Sequence, residues 1–284
     1  MRDFQTSRGL RLDGVVGHQT WSALVEAGYR LGDRLLYLCG PALRGDDVAA
    51  LQRQLGALGF DAGRVDGIFG PDTARALLDF QRNGGLTTDG ICGPLTLQAF
   101  GRLGGKFHQF GTVGQVRELE ALRNAPRTLA GRRLVLGHSG GLAGLADSVA
   151  RLLTRDGAVV ITLHEPEAMD QAAKANLAGA ELYVGLELDP AADGCRTAYW
   201  AGFGGESAGG HRLAELIQAI VPGVIDVKDE GAHGMRLAIL RETAMPAVVC
   251  ELGPPAVVLE RAARLAEALS QALTAWVADP CREA

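Results

Sequence analysis

Hydrophobic spacing divides this chain into two regimes. Up to about Phe100, apolar positions recur every three or four residues, as at Val48, Leu51, Leu55 and Leu58. That spacing predicts amphipathic helices. From Arg132 onward, short apolar runs alternate with helical stretches. The runs predict strands at Leu134–Leu136, Val159–Leu163, Leu182–Leu186 and Ala247–Cys250, with Thr197–Trp200 as an edge strand. Between them, helices are expected at Leu142–Leu153, Glu167–Leu177, Gly210–Ile220 and Met235–Arg241. A closing helix at Pro255–Val277 has Val258, Ala262, Leu265, Leu269, Ala272 and Trp276 along one face. Such alternation predicts an α/β domain, with a mixed or mostly parallel sheet and helices on both faces.

The strand at Ala247–Cys250 is the natural centre of this domain. It follows Pro246, which cannot continue a ladder, and its apolar run suits a buried strand. Glu251 and Gly253 come directly after it. In open α/β sheets the carboxyl ends of strands border the functional crevice, so Glu251 is a candidate for proton transfer or metal work. A capping or surface acid is the alternative.

The helical regime is built on a repeat, Asp-Gly-x-x-Gly-x-x-Thr, at Asp13–Thr20, Asp66–Thr73 and Asp89–Thr96. Aspartate bonds local backbone, glycine supplies positive φ, and Pro71 and Pro94 suit a first helical turn. Phe4-Gln5, Gly9-Leu10, Asp13-Gly14, Gly17 and Thr20 recur a constant 76 positions later at Phe80-Gln81, Gly85-Leu86, Asp89-Gly90, Gly93 and Thr96. This is duplication at the scale of a domain. A fuller copy holds helices at Asp47–Leu58 and Pro71–Arg82 and a short third after Pro94. Between the regimes, residues 103–131 read as a linker containing Gly104-Gly105 and a short helix at Val113–Arg123.

Composition narrows the class. A hydrophobic content of 47% and a net charge of −5 fit a globular protein and give no reason to expect nucleic acid. Cys39, Cys92, Cys195, Cys250 and Cys281 are an odd count without a C-x-x-C pair, which argues for reduced thiols. With no signal-peptide pattern, the expected location is the cytoplasm.

The motifs L-Q-x-x-L-x-x-L-G-F, D-G-x-F-G-x-x-T and F-Q-x-x-x-x-L-x-x-D-G resemble the peptidoglycan-binding domain 1 family. The resemblance covers 44–102 as a small three-helix domain, with 1–30 as the C-terminal half of a second copy. It implies binding of cell-wall glycan or stem peptide, without locating a ligand site. The order of elements over 132–278 resembles the zinc-dependent N-acetylmuramoyl-L-alanine amidases of the amidase 3 family. Pro246–Gly253 matches that family's strand with its catalytic glutamate, which would make Glu251 the catalytic residue. Gly157–Thr162 matches the second strand, and Ala180–Leu186 matches the strand bearing a ligand histidine.

The chain departs from the family where zinc should sit. The family's first ligand lies in a D-P-G-H-G-G type segment, and this chain has Leu136-Gly137-His138-Ser139-Gly140-Gly141. The loop carrying a glutamate ligand is absent, because helix begins at Leu142. Where the family has S-x-H, this chain has Gly185-Leu186-Glu187. His138, Glu187 and Glu251 are therefore all that could converge, and one glutamate cannot readily serve as both ligand and base. His108, His164, His211 and His233 lack ligand-like spacing and read as surface or capping residues, and Cys250 as an inert strand thiol.

The resulting expectation is a catalytically degenerate amidase-fold protein, without a cofactor, that binds or regulates in cell-wall synthesis. Its partners would be peptidoglycan fragments or precursors, a precursor enzyme, or membrane-bound precursor machinery. An active amidase using zinc and a non-catalytic docking scaffold are the alternatives.

Overall fold

The structure, a computed structural model, describes residues 1–103 and 113–281. Gly104-Gly105 and His108 lie outside the described residues. The chain divides into two compact units: Met1–Glu118 with Gly202–Gly205, and Leu119–Ala201 with Glu206–Ala284. No described helix is long and apolar enough to cross a membrane.

The first unit is helical: α1 (Arg2–Ser7), α2 (His18–Ala27), α3 (Asp46–Ala57), α4 (Pro71–Asn83) and α5 (Pro94–Leu103). Leu51, Leu55, Phe69, Leu77, Phe80 and Phe100 form its core, with the Phe80 and Phe100 rings stacked at 4.1 Å. Each Asp-Gly turn is tied to the preceding helix by one buried glutamine. Gln52 Nε2 shares its two hydrogens among Asp66 Oδ1 (2.9 Å), the Ile68 carbonyl (3.1 Å) and Thr73 Oγ1 (3.1 Å), while its Oε1 accepts from Gly67 N–H (2.9 Å). Gln5 makes the same four bonds to Asp13, Val15, Thr20 and Gly14. Gln81 makes them to Asp89, Ile91, Thr96 and Gly90. The turn glycines adopt φ of 77°, 74° and 69°, a region that favours glycine. A glutamine suits this role because one amide end supplies both donors and an acceptor. The repeat is thus a thrice-used polar clamp inside an apolar shell, satisfying turn backbone that burial would otherwise orphan.

The helix α6 (Val113–Asn124) spans the division between the units. The second unit follows as β1 (Arg133–His138), α7 (Ala143–Arg155), β2 (Val159–His164), α8 (Ala168–Leu177), β3 (Leu182–Leu188) and β4 (Gly194–Gly202). Then come the short β5 (Gly205–Glu206), α9 (Ala208–Ile225), β6 (Lys228–Met235), α10 (Ala238–Glu242), β7 (Ala247–Leu252), α11 (Pro255–Glu260) and α12 (Ala262–Ala278). The sheet runs β2-β1-β3-β7-β4-β5, with β6 also paired to β4. The strands β2, β1, β3 and β7 are mutually parallel, and β4 is antiparallel to β7. This is the expected mixed α/β sheet.

Both faces are covered. Leu134, Leu136, Leu182, Val184, Leu186, Val248, Cys250 and Leu252 point to the side packed by α7, α9 and α12. Val135, Tyr183, Ala198, Trp200, Ala247 and Val249 point to the side packed by α8 and α10. That two-sided burial explains why β7 reads as a continuous apolar run rather than an alternation.

Three expected elements differ. Thr197–Trp200 lies in β4, which is no edge, since it pairs with β7 and β6. Met235 ends the strand β6 rather than starting a helix; the Gly- and charge-rich Lys228–Met235 carries no apolar run that would signal a strand. The closing helix is interrupted at Arg261, giving α11 and α12.

Candidate functional site

Strand register decides which candidate residues can meet. Directly paired residues on neighbouring strands project to the same face, and a shift of one residue reverses the face. His138 is paired with Leu186, and Glu187 with Glu251. Glu187 and Glu251 therefore share the face of Tyr183 and Val249, while His138 shares the opposite face with Leu134 and Leu136. The structure brings the two glutamates together and separates both from the histidine by the thickness of the sheet. The three residues that the sequence left as able to converge are not brought together, because His138 is one register position out of step with Glu187.

Glu251 is 4% exposed and sits at the penultimate position of β7. Its partner across the antiparallel pairing is Arg196 of β4. Arg196 Nη1 lies 3.3 Å from Glu251 Oε2, and its Nη2 lies 2.8 Å from Glu230 Oε2. One guanidinium thus bridges two carboxylates, from β7 and β6. A buried carboxylate needs such compensation, and arginine's fork can supply it to two acids at once. The arrangement suits a fixed ion pair. A group meant to take and release protons is better left without a permanent cation.

On the other face, His138 is 5% exposed and its ring stacks on that of His164, with centroids 4.7 Å apart. The two are register partners on β1 and β2. Its Nδ1 is buried with no hydrogen-bond partner. Burial, then the neighbouring His164, pushes the imidazole pKa below its usual value, with Asp147 opposing. His138 is thereby favoured neutral, stacked at the carboxyl end of the parallel strands.

These residues do not fit the zinc site of the amidase resemblance. That site needs two histidines and a glutamate around one point, with an open position for water. Among the described residues, no group of three His, Cys, Asp or Glu could share a metal ion. The loop that would bring a further glutamate is replaced by Ser139–Leu142 leading straight into α7.

The other histidines occupy varied settings. His211 stacks on Tyr199 at 4.4 Å and lies 3.2 Å from Glu206 Oε1. Burial, then Glu206, pushes the Tyr199 phenol up to about 12. His233 Nε2 lies 2.7 Å from the Glu230 carbonyl and is exposed. Buried Cys195 has a thiol raised to about 12, and Cys250 lies well above its ordinary value, both chiefly through desolvation. They are unsuited to nucleophilic work. Sequence reasoning missed Arg196 and Glu230. An arginine opposite Glu251 becomes visible only when β4 is known to run antiparallel to β7.

Residues 44–100 match the family model PG_binding_1, a peptidoglycan-binding domain. Across 283 residues, the chain is 38% identical to the N-acetylmuramoyl-L-alanine amidase CwlM of Mycobacterium tuberculosis, covering 89% of this chain and 70% of that protein. This chain belongs to the N-acetylmuramoyl-L-alanine amidase family. A second family relative, the amidase CwlL of Bacillus licheniformis, is 32% identical over 113 residues, which cover 33% of this chain and 31% of CwlL. Among solved structures, the apo form of the N-acetylmuramyl-L-alanine amidase Ami1 from Mycobacterium abscessus is 17% identical. It covers 52% of this chain and 99% of its own, with a TM-score of 0.44. The match to CwlM and the match at 44–100 give this family member an amidase-like domain and a peptidoglycan-binding helical domain.

Proposed function

We propose that this chain is a catalytically degenerate family member, which binds or regulates in cell-wall metabolism rather than hydrolysing muropeptides. One observation carries the reading: the register sets His138 on the face opposite Glu187 and Glu251, and Arg196 ion-pairs Glu251. In this reading 1–30 and 44–102 are peptidoglycan-binding modules, 103–131 is a linker, and 132–278 is the amidase-like domain. Their ligands are peptidoglycan fragments or precursors, and the protein works in the cytoplasm alongside a precursor enzyme or membrane-bound precursor machinery. No zinc is required.

The test is muropeptide cleavage by the purified full chain with added zinc, run beside calorimetric titration of the same muropeptides. Binding without release of L-alanine-linked stem peptide is the expected result. Cleavage abolished by Glu251→Gln would instead support the second reading, an active zinc amidase, which the names of the relatives favour. Absence of both binding and cleavage, with a stable protein partner, would support a docking scaffold.

A further inference from the structure

The two outer edges of the sheet are built from opposite kinds of residue. At one end β6, which pairs only with β4 among the described strands, carries Lys228, Asp229 and Glu230 and two glycines, Gly231 and Gly234. Charges on an edge strand blunt it against pairing with another chain. At the other end β2 pairs only with β1 among the described strands. Its six residues, Val159 to His164, include no acid, lysine or arginine. Val159 is 51% exposed, Thr162 and His164 are exposed, and Val160, Ile161 and Leu163 are half-buried. An apolar edge without such protection is a template for strand pairing.

The ladder with β1 fixes which backbone groups this edge offers. Val159 N–H donates to the Arg132 carbonyl at 2.8 Å, and Glu165 N–H donates to the His138 carbonyl at 3.3 Å. Backbone groups alternate along a strand, so Val159, Ile161 and Leu163 turn theirs toward β1, and Val160, Thr162 and His164 turn theirs outward. The outward positions are symmetric about Thr162. The charges flanking the strand are not. The Arg155 side chain, 78% exposed, precedes it, and exposed Glu167 follows it. A second copy laid parallel would set Arg155 beside Arg155 and Glu167 beside Glu167. Laid antiparallel, it sets each arginine beside the glutamate of the other copy.

We propose that the open edge of β2 is a self-association surface, on which a second copy of this chain adds its own β2 antiparallel about a two-fold axis at Thr162. Thr162 then faces its counterpart, Val160 faces His164 on the same side of the sheet, and Ile161 faces Leu163 on the other. Such an arrangement is closed and self-complementary, as a two-fold interface requires. Main-chain bonds from Val160, Thr162 and His164 supply the affinity, in the manner of strand addition, and the order of charges selects the antiparallel direction. The surface lies outside the residues on which the proposed function rests, so the two stand or fall separately.

The test is sedimentation of the purified full chain over a wide concentration range at low salt. The expected result is a reversible monomer–dimer equilibrium, weakened at least about tenfold by Thr162→Lys. Thr162 is exposed and its backbone groups turn away from β1, so the variant should keep the melting temperature of the dilute parent protein. Arg155→Glu and Glu167→Arg should each weaken the dimer about fivefold, and the double variant should restore it, because the antiparallel pairs are then re-formed with their signs exchanged. In hydrogen exchange, the amides of Val160, Thr162 and His164 should slow as the dimer forms. A chain that stays monomeric up to millimolar concentration overturns the proposal, whatever else then covers the edge. So does a dimer indifferent to Thr162→Lys, which would use another surface. A dimer that the double charge exchange fails to restore overturns the antiparallel arrangement and the proposal with it.

Discussion

Replacing Arg196 with methionine keeps most of the side-chain stem and removes the cation bridging Glu251 and Glu230. Breaking a fully buried ion pair costs about 3–5 kcal/mol, because the remaining charge is stranded. Here Glu251 is buried, but the Arg196 side chain is 39% exposed and its contact with Glu251 is 3.3 Å. Water can partly replace the guanidinium, which discounts the loss to about 2 kcal/mol. In a unit of this size that corresponds to a fall of about 4–8 °C in melting temperature. Thermal unfolding of the full chain, followed through buried Trp200 and Trp276, gives the number. Glu251→Gln in the Arg196→Met background should recover more than half of the loss, since a neutral amide no longer needs the cation. A loss below about 0.5 kcal/mol, the range of an ordinary surface change, would refute the reasoning. So would a double variant as unstable as the sum of the singles, because the pair would then carry no coupling.

Other consequences can be checked alongside. Gln52→Leu removes the buried amide that bonds Asp66, Gly67 N–H, the Ile68 carbonyl and the Thr73 hydroxyl, and should cost about 3 kcal/mol in chemical denaturation of the full chain. Cys195 and Cys250 should stay unmodified by a thiol reagent in the native protein and react only on unfolding. His138 has a depressed pKa, so the unfolded chain binds its proton more readily; stability should therefore fall as pH drops below the ordinary value of 6.5. His138→Phe should flatten that slope in melting temperatures measured across the acid range; an unchanged slope would remove His138 as its source.

Much of the fold was legible in the chain. The strands β1, β3 and β7 announce themselves as apolar runs because both their faces are buried, β2 is read from the apolar run Val159–Leu163 although it lies at the sheet edge and is partly exposed, and the helices announce themselves by spacing. The strand β6 was illegible, because Lys228–Met235 takes its conformation from pairing with β4 rather than from its own residues. The repeat was visible as glycines and aspartates, but the partner that gives it meaning, the buried glutamine, precedes its aspartate by different distances. Gln5 and Gln81 sit eight positions ahead and Gln52 sits fourteen ahead. At the site, the residue types were readable and their faces were not. Whether His138 meets Glu251 depends on a single step of register between β1 and β3, and that step is fixed by packing across the whole sheet.

The central claim is that this amidase-like domain does not assemble a zinc site. The most direct measurement is zinc content of the full chain purified without chelator, joined to zinc titration by calorimetry. The account predicts no stoichiometric zinc and no saturable uptake at micromolar levels, with His138→Ala indistinguishable from the parent. About one tightly held zinc per chain, released by chelator and lost in His138→Ala, would contradict it.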